Sequence, residues 1–409
     1  MKALEARADG ALRRRNGGAV VMVRSPSLLP RYSPAVAALR LFTSATHQPA
    51  SALAEVIDTL LPLVGDTTAF VVPSARQGLL AHYVQVRERL GRGVVLLPAQ
   101  VCPVVPAVIR AAGHEPRGLD GDGTLATPSP AEYSAALADS SAIGILVAPM
   151  SGYVQDGWAA LLPELQPQMD VVVDLAQAPF SAAAFGHDFL SRADAVVFSF
   201  GVGKGFDTGG GLLLTRRTVS PSRITRRAGP AVAKAACRSA AIHVAIALGA
   251  YRALLPVVDR MSANDATVTP VEQMDIAIAG YWLERLPIVA SEFERAAERS
   301  AALGRMAAVQ LSCRSVEATC SGSARPLRQV LRLRPGIDRD AVVRALRAAG
   351  LDCAAAGEPF PEGDDSGSWP AAAALTKDAI RLPFLGRQSA DEFRRAERIL
   401  EKVLTLHGV

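Results

Sequence analysis

Short apolar runs alternate with longer helical stretches between residues 69 and 215. The runs are almost continuously hydrophobic, and most of them lead into small or polar residues. They span residues 69–73, 94–98, 143–149, 171–174, 195–199 and 212–215. Apolar strands separated by helices are typical of a mostly parallel sheet that helices cover on both faces. The pattern therefore predicts a three-layer α/β domain whose ligands bind beyond the carboxyl ends of the strands.

The rest of the chain predicts a helical region and a smaller α+β unit. Residues 219–309 have a helical pattern, with breaks expected at Pro230, Pro256, Pro270 and Pro287. A strand at 330–334, a helix at 340–349, a strand at 380–383 and a helix at 390–406 follow. We therefore predict a flexible basic extension over residues 1–35, a large domain over 36–265 with a helical insertion near 220–265, and a small C-terminal domain over 266–409.

Charge and composition argue against several classes of protein. The 409 residues have a formal net charge of +5 and only 5% are aromatic, so we expect no nucleic-acid surface. The apolar segment 231–258 has a longest uncharged run of 13 residues, 239–251, whereas a membrane span needs about 20. We expect a buried or subunit-interface helix there. The five cysteines form no C-x-x-C pair, which favours reduced thiols and a cytoplasmic protein.

Two predicted strands end in residues that suggest a binding site. The first leads through Ser74, Ala75 and Arg76 into a helix, where backbone N–H groups and side-chain donors can cradle a phosphate. Another ends at Asp174, with Gln177 three residues later. A carboxylate at the end of a buried strand needs a cationic or proton-sharing partner. Taken singly, a small-residue turn and a helix cap explain these features equally well.

A third strand end contains Lys204, one of five lysines in the chain, among glycines and after Ser199. Two phosphate-binding patterns fail here, because the spacing G-x-x-x-x-G-K-[S/T] is absent and Phe206 occupies the third glycine position of G-x-G-x-x-G. A strand-end Asp174, followed 30 residues later by this lysine, suits pyridoxal phosphate (PLP). The lysine forms a Schiff base with its aldehyde, and the aspartate keeps its pyridine nitrogen protonated.

At these residues the sequence resembles fold-type I PLP enzymes, and most closely the DegT-like (DegT/DnrJ) aminotransferase family. The resemblance runs from about residue 50 to the C-terminus. Its most specific motifs are Asp174-x-x-Gln177, Ser199-Phe200-x-x-x-Lys204 with the glycines at 209–211, and Arg381-Leu382-Pro383. It implies a homodimer that moves an amino group from a small amino-acid donor to a keto acceptor, such as a sugar or a small carbocycle in a biosynthetic pathway.

The resemblance also implies a role for individual residues. Lys204 binds the cofactor and moves the proton, Asp174 partners the ring nitrogen, and Gln177 bonds the ring hydroxyl. The implied cofactor-binding set is Ser74, Ala75, Arg76, Asp174, Gln177, Ser199 and Lys204, with Lys204 and Asp174 as catalytic residues and no metal. Arg226 or Arg227 is a loose match for a residue that completes the partner subunit's site.

Two departures from the family and two alternative functions stay open. Cys102 or its neighbours stand where many relatives place an aromatic ring on the cofactor, and residues 267–274 lack the G-x-N-x-R-M stretch of sugar aminotransferases. The alternatives are a PLP-dependent elimination or dehydration, and a PLP-binding regulator without turnover. Arg381 is a candidate clamp for a substrate carboxylate, although a surface ion pair explains it equally well.

Overall fold

A computed structural model describes most of the chain from residue 49 onward. The described residues are 49–61, 67–121, 127–138, 141–201, 204, 206, 209–216, 225–226, 272–273, 278–310, 314–315, 325, 327–351, 353–355, 369–382, 384–386 and 388–407. The predicted extension over 1–35 and the apolar segment 231–258 lie outside them. Among the helices described, none is long and apolar enough to cross a membrane.

Seven strands form the larger sheet. They are β1 (Thr68–Val72), β2 (Val94–Pro98), β3 (Glu115–Leu119), β4 (Ala142–Val147), β5 (Asp170–Asp174), β6 (Ala195–Ser199) and β7 (Gly211–Thr215), in the order β1-β7-β6-β5-β4-β2-β3. Neighbours from β6 to β3 pair in parallel, whereas β7 is antiparallel to both β1 and β6. The mostly parallel sheet is confirmed, and each of the six apolar runs coincides with a strand.

The helices of this part cover both faces of the sheet. They are α1 (Pro49–Leu60), α2 (Ala75–Leu90), α3 (Val104–Ala111), α4 (Pro130–Ala138) and α5 (His187–Arg192). On one face, Tyr83 of α2 belongs to the same buried cluster as Val172 of β5. On the other, Phe189 of α5 belongs to a cluster with Val171 and Val173. Successive strand side chains point to opposite faces, so β5 is buried on both sides and the predicted three-layer packing is confirmed.

A single helix, α6 (Ile278–Gln310), continues through Pro287. The predicted break at this proline is wrong because Trp282 and Val289, buried on either side of it, hold the helix against the large core while Pro287 itself is exposed. The helical structure predicted for 219–309 is also wrong for two short described segments. There β8 (Thr225–Arg226) and β9 (Glu272–Gln273) form a short parallel ladder. Pro230, Pro256 and Pro270 lie outside the described residues.

The C-terminal part forms a second, antiparallel sheet. Its strands β10 (Arg314–Ser315), β11 (Val330–Arg332), β12 (Ala354–Ala355) and β13 (Ala379–Arg381) have the order β10-β11-β13-β12. Helices α7 (Arg339–Ala348), α8 (Pro370–Asp378) and α9 (Ala390–Leu406) accompany it. The predicted α+β unit is therefore present. The predicted boundary at 265/266 stays a prediction, since α6 contributes Trp282 to the large core and Leu303 to the small one.

Candidate active site

Residues that follow five strands of the large sheet line one cavity of about 140 Å³. Strands β1, β2, β4, β5 and β6 run in the same direction, so their carboxyl ends meet at one edge. The lining residues are Ser74, Ala75, Arg76, Leu79, Val101, Cys102, Val104, Val105, Ala148, Pro149, Met150, Asp174, Ala176, Gln177, Ser199 and Lys204. All seven residues of the predicted cofactor-binding set are among them.

The first turn of α2 forms one wall of this cavity. Ser74 is extended (φ −161°), and its Oγ accepts a hydrogen bond from the backbone N–H of Gln77 at 3.3 Å, which caps the helix. Gly211 of β7 permits the close approach of this turn, since a Cβ there would lie 2.7 Å from the nitrogen of Ala75. The sheet thus holds a 16-residue helix with its positive end at the cavity.

Asp174, the last residue of β5, is a buried carboxylate at the floor of the site. Burial raises the pKa of this carboxyl, because it disfavours the charged form. A hydrogen bond at 2.9 Å from the N–H of Ala176 to Oδ1 and the positive charge of Lys204 lower the pKa only in part. A cationic or proton-donating group bound beside Asp174 would offset this effect of burial.

Lys204 lies in a turn after β6, where its N–H donates to the carbonyl of Gly201 at 3.1 Å. Backbone hydrogen bonds join the two ends of the segment that connects β6 to β7. Phe200 donates to Gly210 at 3.0 Å and accepts from Gly209 at 2.9 Å. Both glycines have positive φ, 79° and 87°. Phe200 also packs on Trp282 of α6 with ring centroids 4.0 Å apart, so the lysine is carried by a loop with a buried anchor.

Gln177, beside the same cavity, is held by the turn that follows β4. Its Oε1 accepts a hydrogen bond from the N–H of Ser151 at 3.1 Å, and its Nε2 lies 3.3 Å from Sδ of Met150. Met150 and Ser151 belong to none of the sequence motifs that predict the site. Gly152, which follows them, has a positive φ of 89° and turns the chain here.

The remaining predicted positions differ in their relation to the cavity. Cys102 lines the cavity beside Val101 and Val104. Many relatives have an aromatic ring at this position, whereas here the lining consists of a thiol and aliphatic side chains. Arg381 lies on β13 of the second sheet and does not line this cavity. Of Arg226 only the backbone is described, and Arg227 lies outside the described residues.

Comparisons with solved structures support the fold. No family model and no curated protein matches the chain. Several solved structures do, and one is a synthase of 3-amino-5-hydroxybenzoic acid (AHBA). The match covers 93% of this chain and 99% of that one, at 16% identity and a TM-score of 0.65.

Two further matches are aminotransferases by description. A DegT DnrJ EryC1 StrS aminotransferase from Brucella abortus matches over 92% of this chain and 97% of its own, at 15% identity and a TM-score of 0.62. A protein from Streptococcus pneumoniae described as a sugar aminotransferase, solved in its PMP form, matches over 93% of this chain and 99% of its own, at 16% identity and a TM-score of 0.65. The chain has the fold of these enzymes. The predicted fold-type I architecture is confirmed.

Proposed function

We propose that the protein is a PLP-dependent aminotransferase that moves an amino group from an amino-acid donor to a keto acceptor in a biosynthetic pathway. The observation that carries this proposal is the convergence of Lys204, Asp174 and the start of α2 on one cavity. Residues from three distant parts of the chain meet there, which supports a site for this cofactor. The fold shared with aminotransferases, one of them also solved in a PLP form, supports the same function.

The donors and acceptors of the cavity fit the cofactor. The N-terminus of α2, the hydroxyls of Ser74 and Ser199, and the guanidinium of Arg76 would hold its phosphate. Its protonated ring nitrogen would pair with the buried Asp174 carboxylate, whose charged form burial disfavours. When bound, PLP supplies an electron sink that stabilises negative charge on the substrate carbon.

The chain's own residues would then bind, orient and move a proton. Lys204 would hold the cofactor covalently, and its amine, when free, would be the base that carries a proton at the substrate carbon. Asp174 would keep the ring nitrogen protonated. Leu79, Val101 and Val104 give the cavity an apolar part of its lining, which would help to keep water from the reacting atoms.

The substrates and the assembly belong to the same proposal. The structural matches to an AHBA synthase and to a protein described as a sugar aminotransferase support two acceptor classes, a small carbocycle and a sugar. A panel of both, assayed with one donor, distinguishes them. We also propose a homodimer in the cytoplasm. Light scattering of the cofactor-loaded protein should give twice the mass of the chain, and a monodisperse monomer would contradict this.

The first experiment is reconstitution of the purified protein with PLP, followed by titration with glutamate. We expect the absorbance of the lysine-bound cofactor to convert to that of its amine form. Lys204→Ala should abolish the lysine-bound absorbance and nearly all turnover, because the covalent anchor and the base are the same amine. Lys377→Ala, at an exposed position of α8, is the matched control and should retain the wild-type spectrum.

Other outcomes identify the alternatives. Absorbance that persists in Lys204→Ala would overturn the lysine assignment. Release of ammonia from the donor without conversion to the amine form would indicate elimination. A stable cofactor spectrum that no amino acid alters would indicate a binding protein without turnover.

A further inference from the structure

The turn after β4 contains a residue in an unfavourable backbone conformation. Ser151 has φ 59° and ψ 6°, and among the residues that the structure describes it is the one non-glycine with positive φ. A β-carbon makes this left-handed region sterically unfavourable. Such a conformation persists where the surroundings hold it, often beside a functional site, so the contacts of Ser151 are informative.

Both polar groups of the Ser151 backbone are hydrogen-bonded to distant parts of the chain. Its N–H donates to Oε1 of Gln177 at 3.1 Å. Its carbonyl accepts from the N–H of Leu327 at 2.7 Å and of Arg328 at 3.3 Å. The residue is 6% exposed. The segment before β11 therefore holds the carbonyl of Ser151, and with the carbonyl fixed the N–H points at the Gln177 carboxamide.

This contact decides which end of Gln177 is available to a ligand. A carboxamide has an acceptor oxygen and a donor nitrogen, and a backbone N–H can only donate, so its partner must be the oxygen. The donor end, Nε2, then lies beside the weak acceptor Sδ of Met150 at 3.3 Å. Because Gln177 and Met150 both line the cavity, Gln177 offers an N–H rather than a carbonyl to what binds there.

We propose that Ser151 is a positioning residue, which acts through its backbone to hold Gln177 as a hydrogen-bond donor to the ring oxygen of PLP. The inference rests on the proposed function and deepens it. A donor beside that oxygen favours its deprotonated, negative form. Ser151 would thus set the pH at which the bound cofactor changes protonation, although its own side chain takes no part.

The test is a pH titration of the cofactor absorbance in loaded variants. Gln177→Leu removes the donor and destabilises the more negative, high-pH form, so we expect the midpoint to rise by about one pH unit. Ser151→Val should produce a similar rise, because a β-branched residue resists positive φ and turns the N–H away. Ser151→Gly and Ser151→Ala should keep the wild-type midpoint, since glycine adopts this conformation freely and alanine lacks only the hydroxyl.

The double variant Ser151→Val/Gln177→Leu separates this proposal from a general structural effect. If Ser151 acts through Gln177, the double variant should show no rise beyond that of Gln177→Leu alone. Additive shifts, or a shift in Ser151→Ala equal to that in Ser151→Val, would overturn the proposal. Ser151→Thr is also β-branched, and it replaces valine if circular dichroism shows that the valine variant is unfolded.

Different outcomes would overturn this inference and the proposed function. A wild-type protein that binds PLP and transaminates, while its absorbance midpoint is the same in all Ser151 and Gln177 variants, would overturn only the positioning role. A wild-type protein without any lysine-bound PLP absorbance would overturn both.

Discussion

At the scale of single residues, the burial of the Asp174 carboxylate has consequences both for stability and for the proposed binding of PLP. The carboxylate is buried at the end of a strand, and its nearest compensation is one backbone N–H and the charge of Lys204. Burial raises the pKa of this group in the folded protein above its unfolded value. The stability that it contributes is therefore present at low pH and is lost as the pH rises through the folded-state pKa.

Asp174→Asn should consequently stabilise the cofactor-free protein at pH 8, because it removes a buried charge. We expect the melting temperature to rise by about 1–3 °C and the gain to shrink as the pH falls, since the wild-type carboxyl then becomes neutral. The same variant should bind PLP at least about tenfold more weakly and lose activity by orders of magnitude. Calorimetry at two pH values and a cofactor titration measure these effects.

Asp194→Asn is the control for this prediction. Burial also raises the pKa of Asp194, but this residue precedes β6 at the opposite edge of the sheet, where its Oδ2 accepts a hydrogen bond from the N–H of Val171. Its replacement should leave PLP affinity unchanged. If Asp174→Asn instead destabilised the cofactor-free protein at pH 8, the carboxylate would have a structural role.

At the scale of elements, two helices have a serine N-cap. Comparing them distinguishes the effect of a cap on ligand binding from its effect on stability. Ser74 caps α2 at the cavity, and Ser389, which does not line the cavity, caps α9 in a capping box with Glu392. Their side chains accept from backbone N–H groups at 3.3 Å and 3.2 Å. Loss of either cap should lower the free energy of unfolding by about 1 kcal/mol. Only α2 has its positive end at the predicted phosphate site.

Ser74→Ala should therefore reduce both stability and PLP affinity, whereas Ser389→Ala should reduce stability alone. Urea unfolding measures the first quantity and a fluorescence titration with PLP the second. Equal affinities in the two variants would show that the Ser74 hydroxyl makes no contact with the cofactor and serves only as a cap.

The elements also differ in how well the sequence predicts them. The interior of a strand buried on both faces is apolar, as residues 171–173 of β5 show, so a polar residue at its end, such as Asp174, stands out as a motif. The edge strand β3 has the sequence EPRGL and is partly exposed, so its pattern gives no strand signal. The continuation of α6 through Pro287 depends on tertiary packing of Trp282. The conformation of Ser151 depends on partners from distant segments.

At the scale of the whole molecule, hydrogen bonds join the two sheets close to the site. Besides the bonds from Leu327 and Arg328 to Ser151, the hydroxyl of Tyr153 donates to Gln329 at 3.1 Å. Another contact is between β3 and α8. The Asp120 carboxylate, one residue after β3, accepts from the N–H groups of Ala371 and Ala372 at 2.7 Å and 2.9 Å.

Asp120 thus acts as the cap of a helix in the other part of the chain. The residue at the N-cap position of α8, Trp369, makes no side-chain capping bond. Its ring instead packs toward Gly118, where an added Cβ would lie 2.8 Å from Cζ2 of the indole. Since this end of α8 is stabilised from the large sheet, we expect the order of α8 to depend on the contact between the two parts.

Asp120→Ala should therefore lower the free energy of unfolding by about 1–2 kcal/mol and increase hydrogen exchange in α8. Asp338→Ala is the matched control, because Asp338 caps α7 within the small unit by accepting from Ala341 at 2.9 Å. It should increase exchange in α7 and leave α8 protected. Exchange measured by mass spectrometry distinguishes the two patterns. Unchanged protection of α8 in Asp120→Ala would mean that the Asp120 cap contributes nothing to the order of this helix.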